Sequence, residues 1–215
     1  VDTNDVNVNG TLNVLQAARR RQCYVILSSS SSVYGLNTNL PASAEMWTGP
    51  RSPYAASKLA AEAYLLAYQQ AFELPSLVFR LFNVYGPQQR PDHPYAAVIP
   101  RFVAAAQRNK PVSIDGDGSQ TRDFTHISTV VQVMTTSITQ RLQHFRPVNL
   151  ALGTRTSINE LIEIIERQCG RSLDRIFSPR RPGDGLDETG RDFWRVNPLR
   201  GLTHVKEYPL FLGGA

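Results

Sequence analysis

The run Tyr24-Val-Ile-Leu27 leads into five serines, Ser28 to Ser32, and then Val33-Tyr34-Gly35; past a polar loop comes Arg51-Ser52-Pro53-Tyr54-Ala55-Ala56-Ser57-Lys58. The first four residues are a short, β-rich apolar run, as a buried parallel strand requires. The serines are expected as a loop at its C-terminal end, where open α/β sheets bind their ligands. Ser52 followed by Pro53 starts a helix: the hydroxyl caps it, and the missing proline N–H costs nothing in the first turn. The spacing predicts a helix over 53–72, with Leu59, Ala63, Leu66 and Ala67 on its packing side. Tyr54 and Lys58, four apart, share one helical face. A phenol, an ammonium and a serine hydroxyl are therefore brought toward one place.

That grouping has a chemical use. A phenol with a pKa of ~10 is a poor base at neutral pH. A nearby ammonium favours the phenolate, and a pair within ~4–6 Å shifts a pKa by ~1–3 units. Tyr54 then becomes a proton acceptor for an alcohol, and a serine opposite can hydrogen-bond the same alcohol. Each part alone is weak, because Tyr-x-x-x-Lys recurs by chance on many helices and serine runs are often plain loops. Their order and spacing together carry the inference.

Ser29-Ser-Ser-Ser-Val-Tyr-Gly35, Ser52-Pro-Tyr-Ala-Ala-Ser-Lys58 and Arg80-Leu-Phe-Asn-Val-Tyr-Gly-Pro87 resemble the active-site motifs of the extended short-chain dehydrogenase/reductase superfamily. Within it they are similar to the NAD-dependent nucleotide-sugar epimerases of the UDP-glucose (UDP-galactose) 4-epimerase kind. The resemblance runs from about residue 4 to about residue 192. It implies an α/β fold, the second half of a doubly wound Rossmann-type parallel sheet with a small C-terminal substrate lobe.

The resemblance also assigns residues. It implies NAD as cofactor, contacted by Asn7 of the Asn7-Val-Asn-Gly-Thr-Leu-Asn13 stretch, by Ser28, Tyr54 and Lys58, and by the backbone of Phe82. It implies Ser30, three before the Val-Tyr-Gly valine, as the catalytic hydroxyl beside Tyr54 and Lys58. For a UDP-sugar it places Ser30 and Tyr54 at the sugar, Asn83 and Arg122 at the diphosphate and Val98 by the uracil. Arg181-Pro-Gly-Asp184 matches a motif in which the arginine binds phosphate and the aspartate a ribose hydroxyl. A guanidinium fork at Arg122 suits a diphosphate better than an ammonium. In such enzymes NAD⁺ takes a hydride from C4 of the sugar while the tyrosine takes the 4-hydroxyl proton; the keto sugar turns over and the hydride returns to its other face. The related 4,6-dehydratases carry Asp-Glu just after the catalytic hydroxyl. Ser31 and Ser32 stand there, so water elimination lacks its proton donor. This favours epimerisation, with a nucleotide-sugar decarboxylase or reductase as the sister reading on the same scaffold.

The totals agree with a globular chain. Two hundred and fifteen residues suit one domain, or one and a small lobe. The expected division is 1–92, a partial NAD-binding region with the Ser/Tyr/Lys site, and 93–215, a mixed region with the substrate lobe, from which 118–126 and 148–152 return toward the sheet. With 41% apolar and 19% charged residues the chain is expected to be soluble. No apolar run approaches the ~20 residues of a membrane span, and no signal peptide opens the sequence, so a cytoplasmic location is expected. The net charge of +5 admits nucleic-acid binding as one reading. The arginines are mostly scattered, however, and the one tight run, Arg19-Arg20-Arg21, sits near a helix end, where cations suit the dipole. A sugar diphosphate accounts for them equally well, so neither nucleic acid nor membrane is expected as a partner. Cys23 and Cys169 match no metal spacing; they are expected as reduced thiols, packed rather than catalytic, and no metal site is expected.

The sequence opens on Val1 and holds no Gly-x-Gly-x-x-Gly; Asp115-Gly-Asp-Gly118 reads as a turn. The family carries that fingerprint on a first strand and helix. The chain is therefore expected to be the C-terminal part of a longer enzyme, or a truncated, inactive product that is at most a binding or interaction module.

The remaining segments follow by pattern. A helix is predicted over 5–21 with Val6, Leu12, Val14, Leu15 and Ala18 on its apolar face, and a second buried strand over 76–82. Residues 111–118 and 120–126 are predicted as two short strands around the Gly/Asp turn. A helix over 127–142 and a strand over 148–152 come after; His126 has a structural place. Ser157-Ile-Asn-Glu160 is a capping box for a helix with Ile158, Leu161, Ile162, Ile165 and Cys169 inside, ended by Gly170. Family dimers pair through the equivalents of helices 5–21 and 53–72, so a homodimer is expected. Glu188 stands where the family decides whether an N-acetyl sugar fits, and the tail from Phe193 departs from the family pattern.

Overall fold

The structure is a computed structural model that describes residues 2–35, 41–92 and 96–179, and the backbone of 187–188. It opens in one helical run: α1 (Asp2–Asn4), a π-helical turn (Asp5–Asn9) and α2 (Gly10–Arg21). The remaining elements are β1 (Val25–Ser30), α3 (Pro53–Phe72), β2 (Ser76–Leu81), β3 (Val84–Tyr85), α4 (Val98–Gln107), β4 (Val112–Asp115), β5 (Thr121–Arg122), β6 (Thr125–His126), α5 (Ile127–Thr139), β7 (Val148–Leu150), β8 (Thr156–Ser157), α6 (Ile158–Cys169), β9 (Arg175–Ser178) and β10 (Asp187–Glu188).

The fold-setting sheet is parallel, in the order β1-β2-β7. β2 pairs on both sides and is buried along nearly its whole length; among the described residues β1 pairs on one side only, and it is half-exposed. Side chains alternate between the two faces. Leu77 and Phe79 of β2 and Val148 and Leu150 of β7 meet Val130 and Val133 of α5 on one face. Val78 of β2, with Val25 and Leu27 of β1, meets Leu15 of α2 and Leu65 of α3 on the other. One register row on the α3 face is polar throughout: Ser29 of β1, Arg80 of β2 and Asn149 of β7 are direct neighbours across the sheet.

A second core lies beyond β2. There Ile99 and Phe102 of α4 pack with Ile114 of β4 and with Leu161, Ile162 and Ile165 of α6. The predicted capping box is present: Ser157 Oγ accepts from the Glu160 N–H at 3.1 Å, and the Glu160 carboxylate accepts from the Ser157 N–H at 2.7 Å.

Several sequence expectations shift. The serines are not simply a loop: β1 continues through Ser30, because its backbone ladder to β2 runs unbroken to Ser30–Leu81, and Ser31–Tyr34 form a 3₁₀ turn. In the first helix Val6 and Val14 are 71% and 58% exposed, and Val8, Leu15 and Ala18 face inward. The π turn, closed by the Gly10 N–H on the Asp5 carbonyl, adds a residue and rotates the upstream face. On α3, Ala63 and Ala67 are exposed, and the inner face is Ala55, Ala61, Glu62, Leu65 and Tyr68. The strands flanking Asp115-Gly-Asp-Gly118 do not pair with each other: β4 pairs with β9, and β5 with β8 and β10. Cys23 and Cys169 are free but exposed rather than packed, since each falls at or just past the end of a helix.

Tyr24, just before β1, donates its hydroxyl to the Leu142 carbonyl, and burial, opposed by Arg141, pushes its pKa up to about 12. The folded phenol holds its proton more tightly than the unfolded one, with its ordinary value of ~10. Its contribution to stability is therefore complete below pH ~10 and lost as pH rises toward 12. Denaturant titrations at rising pH should show Tyr24→Phe losing ~0.5–1.5 kcal/mol at neutral pH, with the hydrogen bond, but declining less steeply above pH ~10.

Candidate active site

Two groups of predicted residues gather at the C-terminal end of the parallel sheet. The first is built by β1 and α3. Ser52 Oγ caps α3 by accepting from the Ala55 N–H at 3.1 Å, and Pro53 takes the first helical position. Tyr54 is thereby set in the first turn, 47% exposed, its hydroxyl without a hydrogen-bond partner among the described residues. Lys58, one turn on, donates from Nζ to the Ser28 carbonyl at 3.0 Å, and that nitrogen lies 5.8 Å from the Tyr54 ring centre. Burial lowers the Lys58 pKa. Ser30 lies two residues beyond Ser28, and its Oγ sits 3.2 Å from the Ser32 nitrogen and 2.9 Å from Ser32 Oγ. Asn7 reaches the same helix from the π turn: its amide nitrogen donates to Ser57 Oγ at 2.9 Å, and Ser57 Oγ donates in turn to the Tyr54 carbonyl at 2.7 Å. Phe82 follows β2, its ring buried and its N–H bonded to the Leu150 carbonyl at 3.3 Å.

The second group lines a pocket of about 210 Å³ just past the sheet, where Asn83, Val98 and Arg122 meet. Asn83 turns the chain out of β2 with φ +29°, a region asparagine tolerates better than most residues. Its side-chain nitrogen donates to the Asp123 carbonyl at 3.2 Å, and its own carbonyl accepts from Thr125 at 3.3 Å. Arg122 is half-buried, with one guanidinium nitrogen 2.9 Å from the Thr121 carbonyl. Asp123, fully buried, fixes the wall behind by accepting from the N–H groups of Leu152 at 3.1 Å and Gly153 at 2.9 Å. Arg181 and Asp184 lie outside the described residues. Of Glu188 the backbone is described, opposite Arg122 in the β10–β5 register.

A model of the NAD dependent epimerase/dehydratase family matches residues 1–151. The chain belongs to that family. It is 37% identical over 183 residues to the UDP-glucose 4-epimerase of Mycolicibacterium smegmatis, covering 83% of this chain and 57% of that protein. It is 34% identical over 181 residues to the UDP-N-acetyl-alpha-D-glucosaminuronate decarboxylase of Bacillus cytotoxicus, covering 81% and 55%. Among solved structures, UDP-N-acetylglucosamine 4-epimerase from Methanobrevibacter ruminantium superposes with a TM-score of 0.84 at 36% identity, covering 87% of this chain and 60% of that one. The chain thus spans less than two thirds of the length of these relatives, and its partial Rossmann-type architecture is theirs.

In this family member further residues border the two groups. Arg101 lines the pocket beside Arg122; it is three residues after Val98 on α4, and that i,i+3 spacing was a usable signal. Beneath the Ser/Tyr/Lys group lies a buried network. Arg80 bonds Glu62 of α3 at 2.7 and 3.0 Å and the Tyr34 hydroxyl at 3.1 Å. Ser29 donates to Glu62, Tyr34 to Asn149, and Asn149 to the Ala42 carbonyl at 2.8 Å. Burial alone would lower the Arg80 pKa, but the hydrogen bonds to Glu62 raise it, so the charge is kept inside. The signal was a charged residue in the middle of an apolar strand, which demands a partner.

Gly35 closes the Val-Tyr-Gly turn with φ +59°, and a Cβ there would overlap the Gly49 carbonyl oxygen. Gly35→Ala is expected to cost at least the ~1–3 kcal/mol of such backbone strain, read as a lower urea midpoint.

Proposed function

We propose that this chain carries the chemistry of an NAD-dependent UDP-sugar 4-epimerase. The carrying observation is the join of Lys58 to the Ser28 carbonyl beside a half-exposed Tyr54 whose hydroxyl has no partner among the described residues. A base must present an unoccupied oxygen to its substrate, and Tyr54 does so. Lys58 holds its ammonium 5.8 Å from the Tyr54 ring centre, anchored on the Ser28 carbonyl. Ser30 polarises the sugar oxygen. Asn83, Arg122 and Val98 hold the UDP end in the pocket past β2; phosphate and ribose roles for Arg181 and Asp184 rest on their motif alone.

The residues fit the nicotinamide-ribose end of NAD: Lys58 and Tyr54 stand beside Ser28, and the Asn7 side-chain oxygen has no partner among the described residues; of the Phe82 backbone only the carbonyl is in question, its N–H being bonded to Leu150. Bound there, NAD⁺ supplies hydride acceptance from C4 and its return. Exposed Val14 and Tyr64 on α2 and α3 suit the homodimer expected from the resemblance.

Two other readings have specific support. A decarboxylase is among the relatives. A binding module without turnover is the other, since among the described residues β1 pairs on one side only, as a strand edge open to a partner does. Calorimetry with NAD⁺, then conversion of UDP-galactose to UDP-glucose, separates them. The epimerase reading expects saturable NAD⁺ binding that Tyr54→Phe/Lys58→Ala abolishes, followed by turnover. A folded, monodisperse sample that binds no NAD⁺ would contradict it.

A further inference from the structure

Ser32 has no part in the chemistry outlined above, yet it holds every hydrogen bond that the Ser30 hydroxyl makes among the described residues. A hydroxyl has one proton to give and two places to accept. One acceptor place on Ser30 Oγ is taken by the Ser32 backbone N–H at 3.2 Å, a bond that can run only one way. The other contact, 2.9 Å between the two side-chain oxygens, can run either way. If Ser32 donates, both acceptor places on Ser30 are filled and its proton is left for a ligand. If Ser30 donates, its proton is consumed inside the turn and Ser30 meets a ligand only as an acceptor.

The direction follows from the sugar. The 4-hydroxyl has a single proton, and in the proposed reaction that proton passes to the Tyr54 oxygen. What the sugar oxygen then needs from Ser30 is a donor. We propose that Ser32 is a positioning residue: its hydroxyl donates to Ser30, so that Ser30 always presents its proton to the substrate oxygen. The result is a one-way chain from Ser32 to Ser30 to the sugar oxygen to Tyr54. During oxidation the O–H bond of the sugar breaks and the proton forms an O–H bond on Tyr54; on return it moves back. Neither serine gains or loses a proton. This inference rests on the epimerase reading for its chemistry and on the two Ser30 contacts for its geometry.

Two measurements test it. Neutron diffraction from deuterium-exchanged crystals of the protein locates the deuteron between the two oxygens and needs no turnover. Density bonded to Ser32 and aimed at Ser30 is the expected result; density bonded to Ser30 and aimed at Ser32 overturns the proposal. In kinetics, Ser32→Ala is expected to lower kcat about tenfold with KM within about twofold, since only a transition-state interaction is weakened. Ser32→Thr, which keeps the hydroxyl, should restore kcat. A parental kcat in Ser32→Ala, or a loss not rescued by Ser32→Thr at equal thermal stability, would overturn it. If the parent shows no epimerisation at all, the proposed function fails separately, and the neutron density still decides the role of Ser32.

Discussion

Glu62→Ala is expected to lower folding stability by about 3–5 kcal/mol, the cost of leaving a buried charge without its partner. Glu62 and Arg80 are 2% and 4% exposed, and their carboxylate and guanidinium meet at 2.7 Å. Removing the carboxylate strands Arg80 in the sheet–helix interface, and Ser29 loses its acceptor as well. Arg80→Ala should cost a comparable amount and remove one of the two partners of the Tyr34 hydroxyl, leaving Asn149. Replacing both by apolar residues of similar volume should cost much less than either single change, because no unpaired charge remains. A urea-denaturation cycle over the four proteins reads this directly. Equal, additive losses would mean that the pair contributes packing and not charge.

The second large effect is on activity. Tyr54→Phe is expected to reduce epimerase turnover by a factor of ~10²–10⁴, the usual worth of a positioned base, while sparing the fold, since the phenol oxygen bonds nothing among the described residues. Lys58→Met should lose turnover and also weaken NAD⁺ binding. Lys58 adds a pH dependence. Burial lowers its pKa below that of an ordinary lysine. The ammonium is present below that value and lost above it, so kcat/KM should fall as pH rises, beginning below the ~10.4 of a free lysine. A pH–rate profile flat to that point would argue against a role for the Lys58 charge.

Much of this was legible in the sequence where one local rule decided the matter. Ser52-Pro53 fixed the start of α3, and Ser157 with Glu160 fixed that of α6, because caps depend on residues within a turn. The apolar run at 76–81 marked the central strand. What stayed hidden depends on distant partners. β4 and β5 read as neighbours around a turn, yet β4 pairs with β9, some sixty residues on. The Ser29–Arg80–Asn149 row could be assembled only once the register of three strands was known. The π turn has no clear sequence mark, so a regular helical pattern puts Val6 inside where the fold puts Val8. At the site, the motifs pointed to Tyr54, Lys58 and Ser30, but which atom bonds which, including the Lys58–Ser28 carbonyl contact, needed coordinates.

The central claim is that C4 of a UDP-sugar is oxidised and reduced again within this site. UDP-galactose carrying deuterium at C4 tests it most directly, with the product followed by NMR. UDP-glucose with the deuterium still at C4 is the expected product, formed at a rate that collapses in Tyr54→Phe. UDP-glucose with solvent hydrogen at C4, or no conversion by folded protein that binds NAD⁺, would contradict it.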